Sequence, residues 1–238
     1  MKKTITSTNC GLQETREVDV IVKNELEEYF LNNEKRYISK WWHYFEIYDR
    51  YFSQFKNKEI KILEIGIYGG GSLQMWKNYF GENAKIYGID IRPECKKFEE
   101  EGIEIHIGSQ ADPVFLNNLM KEIGEVDLII DDGSHINQHQ IASFNMLFPH
   151  LKENGFYLCE DVHTSYWPDY GGGLRQPYTF IEETKNVIDK LNYVHANISE
   201  DYITNNTYSI HYYDSIVIFE KRKMLPPWSA STGNVDVV

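Results

Sequence analysis

Five short apolar runs, separated by turns and helical patterns, occupy the middle of the chain and constrain its fold most strongly. They are IKILEIG, AKIYGIDI, GIEIHIG, VDLIIDD and GFYLCED, and they extend from Ile60 to Asp161. Continuous apolar runs of this length are typical of parallel strands buried on both faces. Helices between them supply the right-handed crossovers that such strands need. The pattern therefore predicts an α/β fold with a doubly wound, mostly parallel sheet.

The two ends of the chain differ from this middle part. Two segments, VDVIVKNELEEYFLNN from Val18 and KRYISKWWHYFEIYDRYFSQF from Lys35, carry apolar side chains at helical spacing and predict a helical N-terminal cover over residues 1–57. Near the other end, TYSIHYYDSIVIFEKRK predicts an antiparallel hairpin that brings the sheet to seven strands. We therefore expect a helical extension over 1–57, one α/β domain over 58–222 and a loosely held tail over 223–238.

Composition excludes several classes of protein. The 238-residue chain has a formal net charge of -12, which repels phosphate backbones and argues against a nucleic-acid partner. Cys10, Cys95 and Cys159 lack the spacing of a disulfide framework and indicate a reducing compartment. No segment is apolar enough to span a membrane, and MKKTITSTNC lacks the apolar region of a signal peptide. We expect a cytoplasmic protein.

The loop after the first strand, LEIGIYGGGS, indicates which kind of cofactor could bind. A dinucleotide loop needs a glycine where the backbone approaches phosphate, but Tyr68 follows Gly66 at that place. Glu64 would repel phosphate and attract an ammonium group. S-adenosylmethionine (SAM), which has an ammonium, a sulfonium and no phosphate, fits better than NAD or FAD.

Other residues at the ends of the predicted strands could complete a SAM site. Asp90 ends the second strand, where an acid can accept hydrogen bonds from ribose hydroxyls. Gln110 and Asp112 follow the third strand and could bind the adenine edge. The predicted SAM-binding residues are Glu64, Gly66, Tyr68, Gly70, Ser72, Asp90, Gln110 and Asp112, and Tyr37, Lys40 and His43 could edge the pocket. Alternatively, the glycines form only a tight turn and the acids are solvated strand ends.

Two further strands end in pairs of acids. In the predicted topology the fourth and fifth strands are neighbours, so Asp131, Asp132, Glu160 and Asp161 should converge. Carboxylates so close raise one another's pKa unless a cation lies between them. An all-oxygen set favours Mg²⁺, or else Ca²⁺ or Mn²⁺, over zinc.

A histidine follows the first acid pair, in DDGSH. His135 is a candidate general base beside the metal, and His139, one helical turn later, is a weaker candidate. Taken singly, DDGSH could be a turn with a helix cap, and EDVH an ordinary strand end.

Four segments, LEIGIYGGGS, IDDGSH, CEDVHTSYW and IHYYDSIVIFEK, resemble class I SAM-dependent methyltransferases. They resemble more closely the metal-dependent sugar O-methyltransferases typified by the macrocin and mycinamicin enzymes of macrolide biosynthesis. The resemblance covers roughly Ile60 to Lys221. It implies a Rossmann-like class I methyltransferase fold, SAM and Mg²⁺ as cofactors, and a homo-oligomer.

The resemblance also implies roles for individual residues. Asp132, Glu160 and Asp161 match the Mg²⁺ ligands, and His135 matches the catalytic base. Glu64, Gly66 and Asp90 match SAM-binding positions, and a contact from Asp131 to the methionine end of SAM is compatible with it.

The segment His163–Tyr178 is a candidate acceptor lid, because it is long and rich in Trp, Tyr and Gly. Tyr166 and Trp167 could stack on a sugar, and Arg175 could bind an acceptor phosphate; the alternative is a packed Ω-loop. The macrolide enzymes have a large auxiliary N-terminal domain, whereas short aromatic helices are predicted before the first strand here. We therefore expect the acceptor to be a nucleotide-linked sugar or a precursor of a bacterial surface polysaccharide.

Three rival functions are open at this point. An iron-dependent hydroxylase of the cephalosporin-hydroxylase type would need Asp132, His135 and a second histidine, whereas the oxygen ligands favour Mg²⁺. A non-catalytic SAM-binding protein would not need His135 beside a metal set. A nicotinamide-dependent dehydrogenase is disfavoured by Tyr68.

Overall fold

The computed structural model describes residues 2–9 and 12–233. Cys10 lies outside the described residues, as do residues 234–238 at the end of the predicted tail. The chain divides into two compact units, Met1–Ser109 and Gln110–Val238. The predicted domain limits at residues 57 and 222 stay predictions.

The first unit consists of a hairpin, two short helices and a parallel β–α–β arrangement. Its elements are β1 (Lys2–Asn9), β2 (Leu12–Asp19), α1 (Glu25–Leu31), α2 (Tyr44–Phe52), β3 (Lys61–Ile65), α3 (Gly71–Phe80), β4 (Lys85–Asp90) and β5 (Ile103–Ile107), with 3-10 turns at Ser53–Phe55 and Pro93–Phe98. Strand β4 pairs in parallel with both β3 and β5.

The predicted helical cover over residues 1–57 is correct for α1 and α2 but wrong for residues 2–19. There β1 and β2 pair antiparallel, with Lys2 opposite Asp19. The sequence KKTITSTN is rich in β-branched residues, which favour strands over helices. The following helix was predicted to include residues from Val18 onward, but it begins only after Asn24, which caps it by accepting a hydrogen bond from the Glu27 amide at 2.9 Å.

Aromatic side chains bind α2 to α3 within the first unit. The rings of Tyr48 and Trp76 meet edge to face at 5.1 Å, and Phe52 lies 5.9 Å from the same indole. All three side chains are buried. The aromatic run of α2 is therefore a packing surface that holds α3, the helix which follows the glycine loop.

The second unit contains the other strands and the longer helices. Its elements are α4 (Pro113–Ile123), β6 (Val126–Asp131), α5 (Asn137–Leu147), β7 (Leu151–Cys159), α6 (Phe180–Leu191), α7 (Tyr193–Ala196), α8 (Tyr202–Asn206), β8 (Thr207–Tyr213) and β9 (Ile216–Lys221), with 3-10 turns at Phe148–His150, Val162–Tyr166 and Pro168–Tyr170. Strand β7 pairs in parallel with β6 and antiparallel with β9, and β8 and β9 form the C-terminal hairpin.

Seven described strands belong to a mixed sheet, in the order β5–β4–β3 in the first unit and β6–β7–β9–β8 in the second. This order confirms the predicted seven-stranded, mostly parallel sheet and its antiparallel hairpin. Strands β3, β4 and β6 are buried along nearly their whole length, as their apolar runs predicted, whereas β8 at the edge of the sheet is mostly half-buried. In the same part of the chain, no helix combines the length and the apolar character needed to cross a bilayer.

Candidate active site

The glycine loop between β3 and α3 carries the first group of predicted residues. Glu64, near the end of β3, is fully buried and accepts hydrogen bonds from the Ser72 hydroxyl and the Trp76 indole N–H, both at 3.1 Å. Helix α3 therefore fixes this carboxylate through its first two turns. Ser72, predicted to bind SAM, acts here on Glu64.

The glycines of this loop make room for another part of the chain. A Cβ on Gly71 would lie 2.5 Å from the carbonyl oxygens of Arg36 and Tyr37, and one on Gly69 would lie 2.9 Å from the Tyr37 carbonyl oxygen. The Gly71 amide donates to the Tyr37 carbonyl at 3.2 Å. Segment 36–38 therefore packs directly on the loop.

Three loop residues have positive φ angles. Gly70 has φ 73°, and a Cβ there would lie 2.7 Å from the Phe98 ring, so only glycine fits. Tyr68 has φ 47°, and its exposed ring packs edge to face on Tyr37 at 5.6 Å. Gly66 also has a positive φ, of 91°. Tyr37, predicted to edge the SAM pocket, thus lies beside the loop; Lys40 and His43 stay predictions.

Asp90, at the end of β4, faces the same loop. Its Oδ2 accepts hydrogen bonds from the amides of Ile67 at 3.0 Å and Tyr68 at 3.1 Å. Arg92 donates to both carboxylate oxygens, and its guanidinium lies 5.1 Å above the Tyr68 ring. Burial alone would raise the pKa of Asp90, but the hydrogen bonds from Arg92, Tyr68 and Ile67 outweigh it and hold this pKa below its ordinary value. Asp90 is therefore a fixed anion, and Arg92 is a site residue that the sequence reading missed.

Three residues predicted to bind SAM lie in the second unit, where they bond to protein groups. Asp112 caps α4, since its carboxylate accepts hydrogen bonds from the amides of Val114 and Phe115. The Gln110 side chain donates to Asp131 at 3.0 Å and accepts from the Ser134 amide at 2.7 Å. Contacts of Gln110, Asp112 and Asp131 with SAM stay predictions.

Asp131 is the centre of a buried polar network next to the loop that follows β6. Besides Gln110, the hydroxyls of Ser143 and Tyr157 donate to its carboxylate, Tyr157 at 2.8 Å. Burial raises the pKa of Asp131, although the bonds from Ser143, Tyr157 and Gln110 act in the opposite direction. Because Gln110 binds both Asp131 and the Ser134 amide, this network fixes the loop that follows β6.

The structure brings three of the predicted metal-site residues together. Ligand atoms of Asp132, His135 and Asp161 all lie within 4.8 Å of one another. His135 Nε2 is 3.9 Å from Asp132 Oδ1 and 3.7 Å from Asp161 Oδ2. Among the described residues, Glu160 is not part of this group. Its side chain is buried, and its carbonyl accepts a hydrogen bond from Gln140 at 3.1 Å.

The donor set of this cluster fits a hard divalent cation. Two carboxylates converge where they would otherwise repel each other, and both remain partly accessible to solvent. His135 Nδ1 is buried and has no hydrogen-bond partner within the described part of the chain. The cluster could therefore hold a cation through its carboxylates, with an imidazole beside it.

Two members of the cluster have left-handed backbones. His135 has φ 57° and Asp161 has φ 52°. For residues other than glycine, such a conformation costs about 1–3 kcal/mol and persists only where the surroundings enforce it. Backbone strain of this kind is concentrated at functional sites, so it supports a functional role for this cluster.

His139, the weaker candidate for the general base, makes a contact that supports the loop, and its role at the substrate stays a prediction. Its Nδ1 lies 2.9 Å from the Ser134 hydroxyl, so it braces the loop before α5. His163, at the start of the predicted acceptor segment, packs on Trp167 with ring centroids 4.6 Å apart. Its Nδ1 lies 4.0 Å from Asp161 Oδ1. Its Nδ1 lies 2.9 Å from the Ser215 hydroxyl.

The predicted acceptor segment, 163–178, is ordered at its base and exposed at its tip. Asn137, the first residue of α5, accepts hydrogen bonds from the Ser165 hydroxyl and the Phe180 amide, both at 2.7 Å, and donates to the Tyr170 carbonyl at 2.9 Å. Tyr166, Trp167 and Arg175 are exposed. The segment is therefore a packed loop that presents aromatic and cationic groups, and its role as an acceptor lid stays a prediction. Asn137 was missed, although it lies only two residues after His135.

Comparison with known proteins agrees with this geometry. A family model described as a methyltransferase domain matches residues 63–162. Demethylmacrocin O-methyltransferase of Streptomyces fradiae is 38% identical over 206 residues, which cover 78% of this chain and 51% of the relative. L-olivosyl-oleandolide 3-O-methyltransferase of Streptomyces antibioticus is 40% identical over 182 residues, covering 71% and 47%. The chain spans about half the length of the curated relatives it matches.

A solved structure is also similar. It is the MycE methyltransferase from the mycinamycin biosynthetic pathway in complex with Mg, SAH and mycinamycin VI. Its TM-score is 0.74 at 35% identity, and the match covers 84% of this chain and 53% of that chain. Residues 63–162 therefore form a methyltransferase domain, and the chain is related to the sugar O-methyltransferases of the macrocin and mycinamicin type.

Proposed function

We propose that this chain is a SAM-dependent, Mg²⁺-assisted O-methyltransferase that acts on a sugar hydroxyl. The observation that carries the proposal is the cluster of Asp132, His135 and Asp161, which places an imidazole against two carboxylates in a chain related to sugar O-methyltransferases. The related MycE structure contains Mg and SAH, the demethylated form of SAM. Mg²⁺ also fits the oxygen ligands better than iron, which disfavours the hydroxylase alternative.

Asp132 and Asp161 would hold the cation, and Glu160 is a third proposed ligand. Bound Mg²⁺ supplies a Lewis acid that lowers the pKa of a sugar hydroxyl and fixes its direction. His135 then takes the hydroxyl proton at Nε2. The carboxylates of Asp132 and Asp161, 3.9 and 3.7 Å from this nitrogen, stabilise the imidazolium that results.

On the donor side, the glycine loop would hold SAM. Bound SAM supplies a methyl group already activated by its sulfonium, so the protein chiefly has to orient and deprotonate. Asp90 is a fixed anion that would bind the ribose hydroxyls of SAM in exchange for hydrogen bonds that its carboxylate now accepts from Arg92. Glu64, held by Ser72 and Trp76, adds negative charge that favours the amino group of SAM.

The finer proposal is that the acceptor is a nucleotide-linked sugar or a precursor of a bacterial surface glycan. The exposed rings of Tyr166 and Trp167 are suited to stacking on a sugar, and the exposed guanidinium of Arg175 is suited to a phosphate. The names of the relatives support a sugar hydroxyl as the methylated group.

A direct assay tests both levels of this proposal. Purified protein is incubated with SAM, Mg²⁺ and a panel of nucleotide-linked deoxysugars, lipid-linked glycans and neutral macrolide glycosides, and SAH release and product mass are measured. Turnover with any sugar acceptor, lost in His135→Ala, supports the methyltransferase. Arg175→Ala should raise KM for a phosphate-bearing acceptor only. Turnover confined to neutral glycosides would refute the finer proposal, and no turnover with any sugar would refute the broader one.

A further inference from the structure

One hydroxyl group links the two strained residues of the metal cluster. The Thr164 side chain lies with its Oγ1 2.8 Å from the His135 carbonyl oxygen and 2.9 Å from the Asp161 carbonyl oxygen. Thr164 is buried, and its amide also donates to the Asp161 carbonyl at 3.0 Å. The carbonyl oxygens of the two left-handed residues, His135 and Asp161, therefore both lie against the Thr164 hydroxyl.

This convergence has a consequence for side-chain direction. A residue other than glycine keeps a left-handed backbone conformation only where neighbouring groups hold it. The hydroxyl of Thr164 can donate its proton to either carbonyl, and it lies against both. It thereby fixes the peptide plane after His135 and the one after Asp161, and with them the angle at which the imidazole and the carboxylate face each other.

We propose that Thr164 is a positioning residue, whose hydroxyl holds His135 and Asp161 in the conformations that the metal cluster needs. The proposal rests on the proposed function, because it assigns the cluster to Mg²⁺. Thr164 acts through the backbone of the two residues and not through contact with the cation or the substrate.

The hydroxyl can be removed without changing the shape of the side chain. Thr164→Val is nearly isosteric and deletes the donor, whereas Thr164→Ser keeps the hydroxyl. Thr184→Val is the matched control, because Thr184 is equally buried and its hydroxyl donates to the Ile181 carbonyl at 2.8 Å, in helix α6. All three variants leave the ionisable groups of the cluster in place.

Two measurements test the proposal without any acceptor. Isothermal titration with MgCl₂ should show binding weakened about tenfold or more in Thr164→Val, the usual effect of losing a group that orients metal ligands. Thr164→Ser should bind close to wild type, and Thr184→Val should be unchanged. Hydrogen–deuterium exchange in metal-free protein should rise in Thr164→Val within residues 132–137 and 161–166, and in Thr184→Val it should not.

Other outcomes would overturn the proposal. Unchanged exchange and unchanged Mg²⁺ binding in Thr164→Val would show that the hydroxyl holds nothing. Equal losses in Thr164→Val and Thr184→Val, or no recovery in Thr164→Ser, would assign the effect to general destabilisation. A wild-type protein that binds no Mg²⁺ would instead refute the metal part of the proposed function, while the exchange data would still decide whether Thr164 holds the two segments.

Discussion

The imidazole Nε2 of His135 lies 3.7 Å from Oδ2 of Asp161, although the two residues follow different strands of the sheet. Because the strands are parallel, their carboxyl ends meet at one edge, and the loops after them bring acid and base together. The fold thus brings together the two residues on which the proposed chemistry depends, and several experiments can test their roles.

His135→Ala should abolish most methyl transfer and leave SAM binding close to normal. Removing a general base typically lowers the rate about 10²–10⁴-fold. Steady-state kinetics with an acceptor and isothermal titration with SAM measure the two effects separately. A large loss of SAM affinity would place His135 in donor binding instead.

Chelation should stop the reaction. EDTA would remove the cation proposed at Asp132 and Asp161, and excess Mg²⁺ should restore the rate, with EDTA already saturated by Mg²⁺ as the control. Asp161→Asn keeps the size of the side chain but removes its charge, so Mg²⁺ binding should become about tenfold weaker or more. Activity that is indifferent to chelator would leave the acid cluster without its proposed role.

Asn137→Ala should loosen the acceptor segment. The substitution deletes three hydrogen bonds, to Ser165, Tyr170 and Phe180, so amide exchange and proteolysis within residues 163–180 should rise. Asn186→Ala is the control, because Asn186 is exposed and its side chain binds only Glu183 among the described contacts. Equal exchange in the two variants would contradict the anchoring role.

Asp90→Asn should destabilise the fold in a pH-dependent way. A carboxyl whose pKa is lower in the folded protein adds stability above its ordinary pKa of 3.8, and this stability is lost as the pH falls through the lower folded value. The variant should therefore be less stable than wild type by about 1–3 kcal/mol at pH 7.

Urea denaturation of wild type and Asp90→Asn at several pH values checks the direction of the pKa shift of Asp90. The difference between them should shrink below pH 3.8. Asp169→Asn, at an exposed carboxylate, should show a difference within about 0.5 kcal/mol at every pH. A gap for Asp90→Asn that widens in acid would contradict the assigned direction.

Gly71→Ala should displace segment 36–38 from the glycine loop. The added methyl would lie against the carbonyls of Arg36 and Tyr37, and overpacking of this kind costs about 1–3 kcal/mol. SAM binding should weaken as well, since the loop must move. Gly171→Ala, where no atom lies within 4 Å, tests the cost of a left-handed backbone alone and should leave SAM affinity intact. Equal SAM affinity in both variants would show that segment 36–38 does not support the donor loop.

The sheet and the convergence of Asp132 and Asp161 could be predicted, because apolar runs mark the strands and the points at which they end. Which acid of each pair is buried and which faces the cluster could not be predicted. Asp131 and Glu160 are buried, whereas Asp132 and Asp161 are partly exposed. Successive residues of a strand point in opposite directions, so a shift of one position decides which acid faces the site, and an error in the strand end reverses the assignment.

Other features depend on contacts between distant residues, which no local pattern reveals. The hydroxyl of Thr164 and the amide of Asn137 bind groups more than twenty positions away, and nothing in their neighbourhoods marks them. The β1–β2 hairpin was missed for a different reason. Its residues are mostly polar, so neither the helical nor the strand period of apolar residues stands out there.

In segment 163–178, the residues that hold the loop to Asn137 are different from the residues that it exposes to solvent. Ser165, near the start of the segment, and Phe180, just beyond its end, both bind Asn137 at the start of α5, so exchanges at the exposed residues Trp167 or Arg175 leave these groups untouched. Under the proposed function, acceptor preference would diversify by mutation of these exposed residues while the chemistry at His135 is retained, and exchanging them between related chains would be a practical route to altered acceptors.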